Sequence, residues 1–360
     1  KAPGATRPRS EPDGDRRRRL AHHGSCRGGY SMSAGAIVPT VQDVLDAAQQ
    51  VHGVVRETPL LRNDELDARI GVPVYVKCEP LQHTGSFKLR GAYNRLSRLT
   101  DDERTRGVVA FSSGNHAQGV ARAAKLLGVP ATIVMPSDAP KVKVEGVLRD
   151  GAEIVFYDRF TENREEIAAD ISAEKNLVVV PSYDDPHIIA GQGSCGVEIT
   201  RQYSDDKAPQ ALVCCVGGGG LIAGVSLAVH NQWPDLRVVG AEPEDFDDHA
   251  RSLKSGNREQ VDPNSRSICD ALLSPSPGEL TFAINKEHLS DVALISDEEA
   301  REAVRFAFRH LKVVAEPGGA AALAALLAGK VQITSDQPVI VVLTGGNIDP
   351  AQMSEILASA

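Results

Sequence analysis

Short apolar runs alternate with amphipathic segments along most of the chain. Four runs have the length and composition of buried strands: Gly107–Phe111, Ala131–Met135, Ala211–Val216 and Val339–Leu343. Segments between them, such as Lys141–Asp150, have the spacing of helices. Strands and helices that alternate in this way form βαβ units around a parallel sheet. The pattern therefore predicts an α/β protein with parallel-type sheets.

The same alternation indicates how the chain is organised. Residues 107–185 contain several predicted strands and the helices between them, which predicts one compact three-layer αβα unit. A second series of strands and helices begins near Gly191 and is interrupted by the polar, proline-containing stretch 243–279. A chain of 360 residues has room for about two domains.

Composition excludes several classes of partner. The net charge of -9 gives nucleic acid no electrostatic reason to bind, and no apolar run approaches the roughly 20 residues of a membrane span. The 6 cysteines show neither metal-ligand nor disulfide spacing, which predicts a reducing cytoplasm. Residues 1–32 are basic and rich in Gly, Pro and Ser, but acidic residues interrupt them, unlike a transit peptide. We expect a disordered tail there.

Lys88 is the first candidate for chemistry. It lies between the apolar residues Phe87 and Leu89. Burial lowers the pKa of a lysine amine, and such an amine can hold a carbonyl compound as a Schiff base. The alternative is a surface lysine on an amphipathic helix over 87–98. The motifs farther along the chain favour the reactive lysine.

Gly217–Gly220 lies between a predicted strand and a predicted helix. Four glycines without Cβ atoms allow backbone N–H groups to point at an anion at the helix N-terminus, which predicts a phosphate site. The residues Gly218, Gly220 and Ala223 also satisfy G-x-G-x-x-A, with Glu242 ending the next strand. An NAD-dependent dehydrogenase is therefore an alternative, as is a small-molecule-binding protein without activity.

Two further polar turns follow strands. Ser112–His116 comes after Gly107–Phe111, and Thr344–Asn347 comes after Val339–Leu343. Ligands of parallel sheets bind at the carboxyl ends of strands. A helix cap needs one polar residue, and the first turn has more than that. Both turns are candidate binding loops.

In chain order, KCEPLQHTGSFKLRGA, SSGNHAQG, IAGQG, GGGGLIAG and TGGNID resemble motifs of the serine/threonine dehydratase and serine racemase family. These are fold-type II enzymes, similar to the tryptophan synthase β subunit, that depend on pyridoxal 5'-phosphate. The resemblance covers residues from about 40 to 355. It implies a homodimer whose small mobile domain, 107–185, closes on a large cofactor-binding domain made of 33–106 and 186–360.

The resemblance also implies roles for individual residues. Lys88 would hold the cofactor, Phe87 would pack beside its ring, Asn115 would contact the ring hydroxyl, Thr344 the pyridine nitrogen, and Gly217, Gly218, Gly219, Gly220 and Leu221 the phosphate. Family members often have Ser at the position of Thr344, and Thr preserves the hydroxyl. Lys88 would also be the general base in elimination of the β-hydroxyl of L-serine or L-threonine, giving a 2-oxo acid and ammonia.

Substrate preference depends on a second group of residues. We expect Ser112, Asn115 and His116 to hold the substrate carboxylate, since a helix N-terminus favours an anion. By resemblance, Ser113 is a second catalytic acid/base that would permit serine racemisation, and Arg164 and Ser274 face the distal end of the substrate. A guanidinium suits a second carboxylate, so 3-hydroxyaspartate is an alternative substrate.

An acidic loop suggests a metal site. Glu242 ends a strand, and residues 243–250 add several carboxylates. Carboxylate and carbonyl oxygens suit Mg²⁺, Mn²⁺ or Ca²⁺. The family resemblance narrows the ligands to Glu242, Asp248 and the carbonyl of Phe246. The alternative is an acidic surface loop without an ion.

Overall fold

A computed structural model describes residues 37–112 and 114–359. The predicted tail, 1–32, and Ser113 lie outside the described residues. The strands are β1 (Leu60–Arg62), β2 (Val74–Cys78), β3 (Val108–Phe111), β4 (Ala131–Pro136), β5 (Glu153–Tyr157), β6 (Val178–Val179), β7 (Ala211–Cys215), β8 (Arg237–Pro243), β9 (Leu289–Ile295) and β10 (Val339–Leu343).

Helices connect nearly all of these strands. They are α1 (Val41–Val51), α2 (Asp64–Ile70), α3 (Lys88–Leu96), α4 (Asp101–Arg106), α5 (Asn115–Leu127), α6 (Lys141–Arg149), α7 (Arg164–Lys175), α8 (Pro186–Gln202), α9 (Gly220–Gln232), α10 (Asp248–Ser255), α11 (Glu279–His288), α12 (Asp297–Phe306), α13 (Ala321–Leu327) and α14 (Pro350–Ala358). In the part of the chain described, none of them is long and apolar enough to cross a membrane.

The strands form two sheets. The larger has the order β1-β2-β10-β7-β8-β9, and the smaller has the order β5-β4-β3-β6. All neighbouring strands are parallel except the pair β1 and β2. This arrangement confirms the predicted α/β class with parallel-type sheets.

The centre of the larger sheet explains why its strands are continuous apolar runs. Every residue of β7 and β10 is buried. Helix α13, with the sequence AALAALL, packs on β7, β8 and β10, and residues of α8 and α9 belong to the apolar cluster on the opposite face. Strands covered on both faces have no polar side to alternate with an apolar one.

Several short elements differ from the prediction. Strand β1 is a three-residue edge strand that the sequence pattern did not indicate, and α10 lies inside the polar, proline-containing stretch 243–279. Helix α4 buries no residue and is stabilised by a capping box between Thr100 and Glu103. A helix without an apolar face has no hydrophobic period to detect, so caps and local charges specify it instead.

Strand ends bring the predicted motifs together. Strand β3 leads into Ser112, β7 into Gly217 and β10 into Thr344, and each of these lies at the carboxyl end of a parallel strand. Ser86, just before Lys88, forms an antiparallel bridge with Gly345. The two sheets therefore direct their binding loops toward a common cleft.

Candidate active site

Lys88 is the first residue of α3. Its amine donates a hydrogen bond of 2.8 Å to the carbonyl of Ser182, and the preceding amide, of Phe87, donates to the carbonyl of Thr344 at 3.2 Å. Burial lowers the pKa of Lys88 to about 8. Since an ordinary lysine has a pKa near 10.4, a larger fraction of this amine is neutral and nucleophilic at physiological pH.

Asn115 lies close to the loop that begins at Thr344, since its Nδ2 is 3.2 Å from where a Cβ on Gly345 would be. The Asn115 side chain donates through Nδ2 to the Glu316 carboxylate and accepts through Oδ1 from Asn347 at 2.7 Å. The hydroxyl of Thr344 is 3.1 Å from the Cys215 sulfur. Both side chains are buried, so their polar groups are held in fixed directions.

The glycine loop has no space for side chains. A Cβ atom at Gly218 would lie 2.2 Å from the Tyr183 ring, and one at Gly219 would lie 2.6 Å from Asn285 Nδ2. Gly219 has a φ of 92°, and α9 begins at the next residue. Glycine is required here by both space and conformation, and the helix N-terminus presents N–H groups to an anion. The loop fits a phosphate.

The turn before α5 has the geometry of a second anion site. The Ser112 hydroxyl accepts from the Gly114 amide at 3.2 Å, and α5 begins at Asn115. His116 donates from Nε2 to the Val180 carbonyl at 3.0 Å, and burial lowers its pKa to about 3. Nδ1 of this neutral ring can only accept a hydrogen bond, which does not suit the predicted contact with a carboxylate.

Arg164 and Ser274 come from different parts of the fold. The Arg164 guanidinium is 5.8 Å from the centre of the Phe111 ring, and Phe111 directly precedes Ser112 in the sequence. Arg164 makes no salt bridge within the described residues. Ser274 donates its amide to Leu272, whose Cα lies 3.1 Å from where a Cβ on Gly217 would be. Arg164 therefore lies near the Ser112 turn, and Ser274 near the glycine loop.

The comparisons with known proteins agree with this geometry. A family model described as pyridoxal-phosphate dependent enzyme matches residues 51–345. The chain belongs to this family. It is 43% identical over 315 residues to the L-threo-3-hydroxyaspartate ammonia-lyase of Pseudomonas sp, covering 88% of this chain and 97% of that protein. It is 37% identical to the serine racemase of Schizosaccharomyces pombe, covering 91% of this chain and 100% of that protein.

A solved structure supports the same assignment. Maize serine racemase superposes with a TM-score of 0.84 at 33% identity, covering 90% of this chain and 98% of that one. The predicted family and the fold-type II architecture are confirmed. The chain is thus a pyridoxal phosphate-dependent enzyme of the lyase type, and this membership decides against the dehydrogenase and the inactive binding protein.

Sequence reasoning missed several residues that contact the predicted site residues or their neighbours. They are Lys143, Tyr183, Cys215, Asp270, Glu316 and the side chain of Asn347, which donates to Asn115. Lys143 is 3% exposed, pairs with Asp270, and has its amine 3.4 Å from where a Cβ on Gly114 would lie. The cation thus lies beside the turn expected to bind the substrate carboxylate. Only Asn347 belonged to a motif, and no sequence pattern pointed to the others.

The acidic loop contains a buried cluster of side chains that could bind a metal ion. Ligand atoms of Glu242, Asp248 and His249 lie within 4.8 Å of one another. Glu242 accepts from the amides of His249 and Ala250 at 3.3 and 2.9 Å. Burial, and then the charge of Asp248, raise the pKa of Glu242 well above its usual value. One oxygen of Asp248 is buried with no partner among the described residues, so these carboxylates fit a divalent cation.

Proposed function

We propose that the enzyme is an ammonia-lyase that removes the β-hydroxyl of an amino acid and releases a 2-oxo acid and ammonia. The observation that carries this proposal is the partly buried Lys88 amine with its lowered pKa, in a fold that also has a glycine-lined anion site and the polar side chains of Asn115 and Thr344. L-serine, L-threonine and 3-hydroxyaspartate are the candidate substrates, because the relatives are named for reactions of such amino acids.

Each part of the site has a role in this reaction. When bound, pyridoxal phosphate supplies an electron sink that stabilises negative charge at the substrate α-carbon. Gly217–Gly220 and the N-terminus of α9 would hold its phosphate, and Asn115 its ring hydroxyl. Thr344 would offer the ring nitrogen a neutral hydroxyl. The Lys88 amine takes the α-proton as general base, which a pKa of about 8 favours near neutral pH.

We also propose that 107–185 is a small mobile domain that closes on a large one made of 33–106 and 186–360. The smaller sheet comes entirely from the first of these ranges, and Lys143 pairs with Asp270 across the boundary. A homodimer in the cytoplasm completes the proposal. The buried cysteines of the described chain are free thiols, as a reducing compartment would keep them.

Arg164 supports 3-hydroxyaspartate as a substrate, because its guanidinium has no carboxylate partner among the described residues. Arg164→Ala is expected to lower kcat/KM for 3-hydroxyaspartate by roughly 10- to 100-fold, as loss of a charged hydrogen bond would, and for L-serine by much less. Steady-state release of oxo acid from L-serine, L-threonine and the isomers of 3-hydroxyaspartate measures this.

Arg159→Ala is a matched control, since Arg159 is in the same region and already pairs with Asp138 at 2.7 Å. It should leave the ratio of the two kcat/KM values unchanged. An equal loss for both substrates in Arg164→Ala would show that Arg164 has no selective role. Formation of D-serine in the same assays tests racemisation, the second candidate, for which Ser113 is the predicted acid/base.

We further propose a divalent cation, Mg²⁺, Mn²⁺ or Ca²⁺, at Glu242, Asp248 and the carbonyl of Phe246. Two buried carboxylates raise each other's free energy, and a cation would remove that penalty. An ion that binds only the folded state adds stability as its concentration exceeds Kd. Its effect on turnover would be indirect, because Glu242 lies in β8, the strand that follows the glycine loop and pairs with β7.

Removal of divalent ions with a chelator tests the proposed cation site. A chelator should lower the Tm and the activity, and added Mg²⁺ or Mn²⁺ should restore both. At a free ion concentration of 100 times Kd, the stabilisation amounts to about 2.7 kcal/mol. The double variant Glu242→Ala/Asp248→Ala should not respond. If it responds to chelator and cation as the unmodified enzyme does, the ion binds elsewhere.

A further inference from the structure

We infer that Glu316 is a positioning residue: together with Asn347, it fixes the Asn115 amide in the orientation that presents an N–H to the ring hydroxyl of the cofactor. This inference rests on the proposed function, because it takes Asn115 as the contact of that hydroxyl. No motif in the sequence pointed to Glu316.

The backbone holds Glu316 beside the end of β10. Its amide donates to the carbonyl of Gly345 at 3.0 Å, and its own carbonyl accepts from the amide of Ala320 at 2.9 Å. The residue is 1% exposed. Its Oε1 lies only 2.2 Å from where a Cβ on Gly345 would be. The carboxylate therefore has little freedom to turn away from the cleft.

Hydrogen bonds on both sides determine the orientation of the Asn115 side-chain amide. Its Oδ1 accepts from Asn347 Nδ2 at 2.7 Å, and Asn347 Nδ2 also donates to the Thr84 carbonyl at 2.8 Å. The Asn115 Nδ2 donates to Glu316. A side-chain amide has one acceptor oxygen and two N–H donors, whereas a carboxylate can only accept. Rotation of Asn115 by 180° would place oxygen against carboxylate and nitrogen against nitrogen.

This orientation leaves one N–H of Asn115 without a partner among the described residues. Glu316 takes the other, and the oxygen is already paired with Asn347. Without Glu316, the amide could rotate and direct its oxygen at the ring hydroxyl instead. The role of Glu316 is therefore to determine which atom of Asn115 faces the cofactor, and it requires no contact between Glu316 and substrate.

The surroundings of Glu316 indicate that it does not serve mainly to stabilise the fold. Its Oε2 is buried with no partner among the described residues, which destabilises the folded protein. Burial raises the pKa of Glu316 to about 7, although the Lys143 cation and the Asn115 hydrogen bond lower it, and Asp270 raises it further. Either protonation state leaves Oε1 free to accept from Asn115, so both preserve the orientation.

The test combines substitutions at Glu316 and Asn115 in a double-mutant cycle. Apoprotein of each variant is titrated with pyridoxal phosphate, and Kd, the visible absorption maximum and the Tm are recorded. Glu316→Ala should weaken cofactor binding on the order of tenfold, the loss of about one hydrogen bond, and shift the absorption maximum. In the Asn115→Ala background the same substitution should change Kd less than about twofold, since the loss of one hydrogen bond has already occurred.

Glu316→Gln is the matched variant, because its side-chain oxygen can still accept from Asn115. It should keep Kd and the absorption maximum near those of the unmodified protein, and it preserves the test if Glu316→Ala does not fold. Equal weakening by Glu316→Ala in both backgrounds, or an unchanged Kd and spectrum, would overturn the inference. An unmodified protein that binds no pyridoxal phosphate would instead overturn the proposed function.

Discussion

Lys88→Ala is expected to lose both the yellow colour of the holoenzyme and essentially all turnover. In our proposal this amine attaches the cofactor covalently and removes the α-proton, and within the described residues no other lysine amine donates to the Ser182 carbonyl. Loss of a general base alone costs about 10²- to 10⁴-fold. Absorbance spectra, initial rates and borohydride reduction measure the effect, since reduction should bleach the unmodified enzyme and leave a stable adduct on Lys88.

Lys141→Ala is the control, because Lys141 is an exposed lysine at the start of α6. It should keep the colour, the adduct and the rate. If Lys88→Ala stays yellow and active while Lys141→Ala behaves as expected, Lys88 is not the cofactor lysine and the proposed mechanism is wrong.

The lowered pKa of Lys88 also predicts the pH dependence of the apoprotein. The folded state disfavours the charged amine, so between the folded pKa of about 8 and the unfolded value the unfolded chain binds more protons. The contribution of Lys88 to the free energy of unfolding therefore rises with pH in this window. Replacement by the uncharged Met should stabilise the apoprotein near pH 7, and the advantage should shrink toward pH 10.

The strands and binding turns could be predicted because their signals are local. The run VIVVL of β10 and four consecutive glycines each restrict the structure within a few residues. The contacts of Glu316 and Lys143 could not be predicted, because a buried charged residue has the same sequence appearance as an exposed one. Their partners Asn115 and Asp270 lie 201 and 127 residues away, and the fold alone brings them together.

Two residues after Lys88 in α3, Arg90 belongs to a buried group of charges. Arg90 is fully buried and donates to Glu79 at 2.8 Å and to Glu198 at 2.7 Å. Lys77, also fully buried, donates to Glu198 and to the carbonyl of Thr58, each at 2.6 Å. Two cations thus balance two anions. Such a group adds little to the stability of the folded protein when it is intact. Removal of one member, however, leaves a charge buried without compensation.

Arg90→Met is therefore expected to lower the free energy of unfolding by about 3–5 kcal/mol. Urea or thermal denaturation of the holoenzyme measures this. The control is Arg106→Met, which removes an exposed pair with Asp102 within α4 and should cost about 1 kcal/mol or less. The penalty should depend on the carboxylates left behind, so Glu79→Gln combined with Arg90→Met should cost less than the sum of the two single changes. Additive costs, or an Arg90→Met loss no larger than the control, would mean that the buried charges are individually tolerated and do not stabilise the start of α3 as a unit.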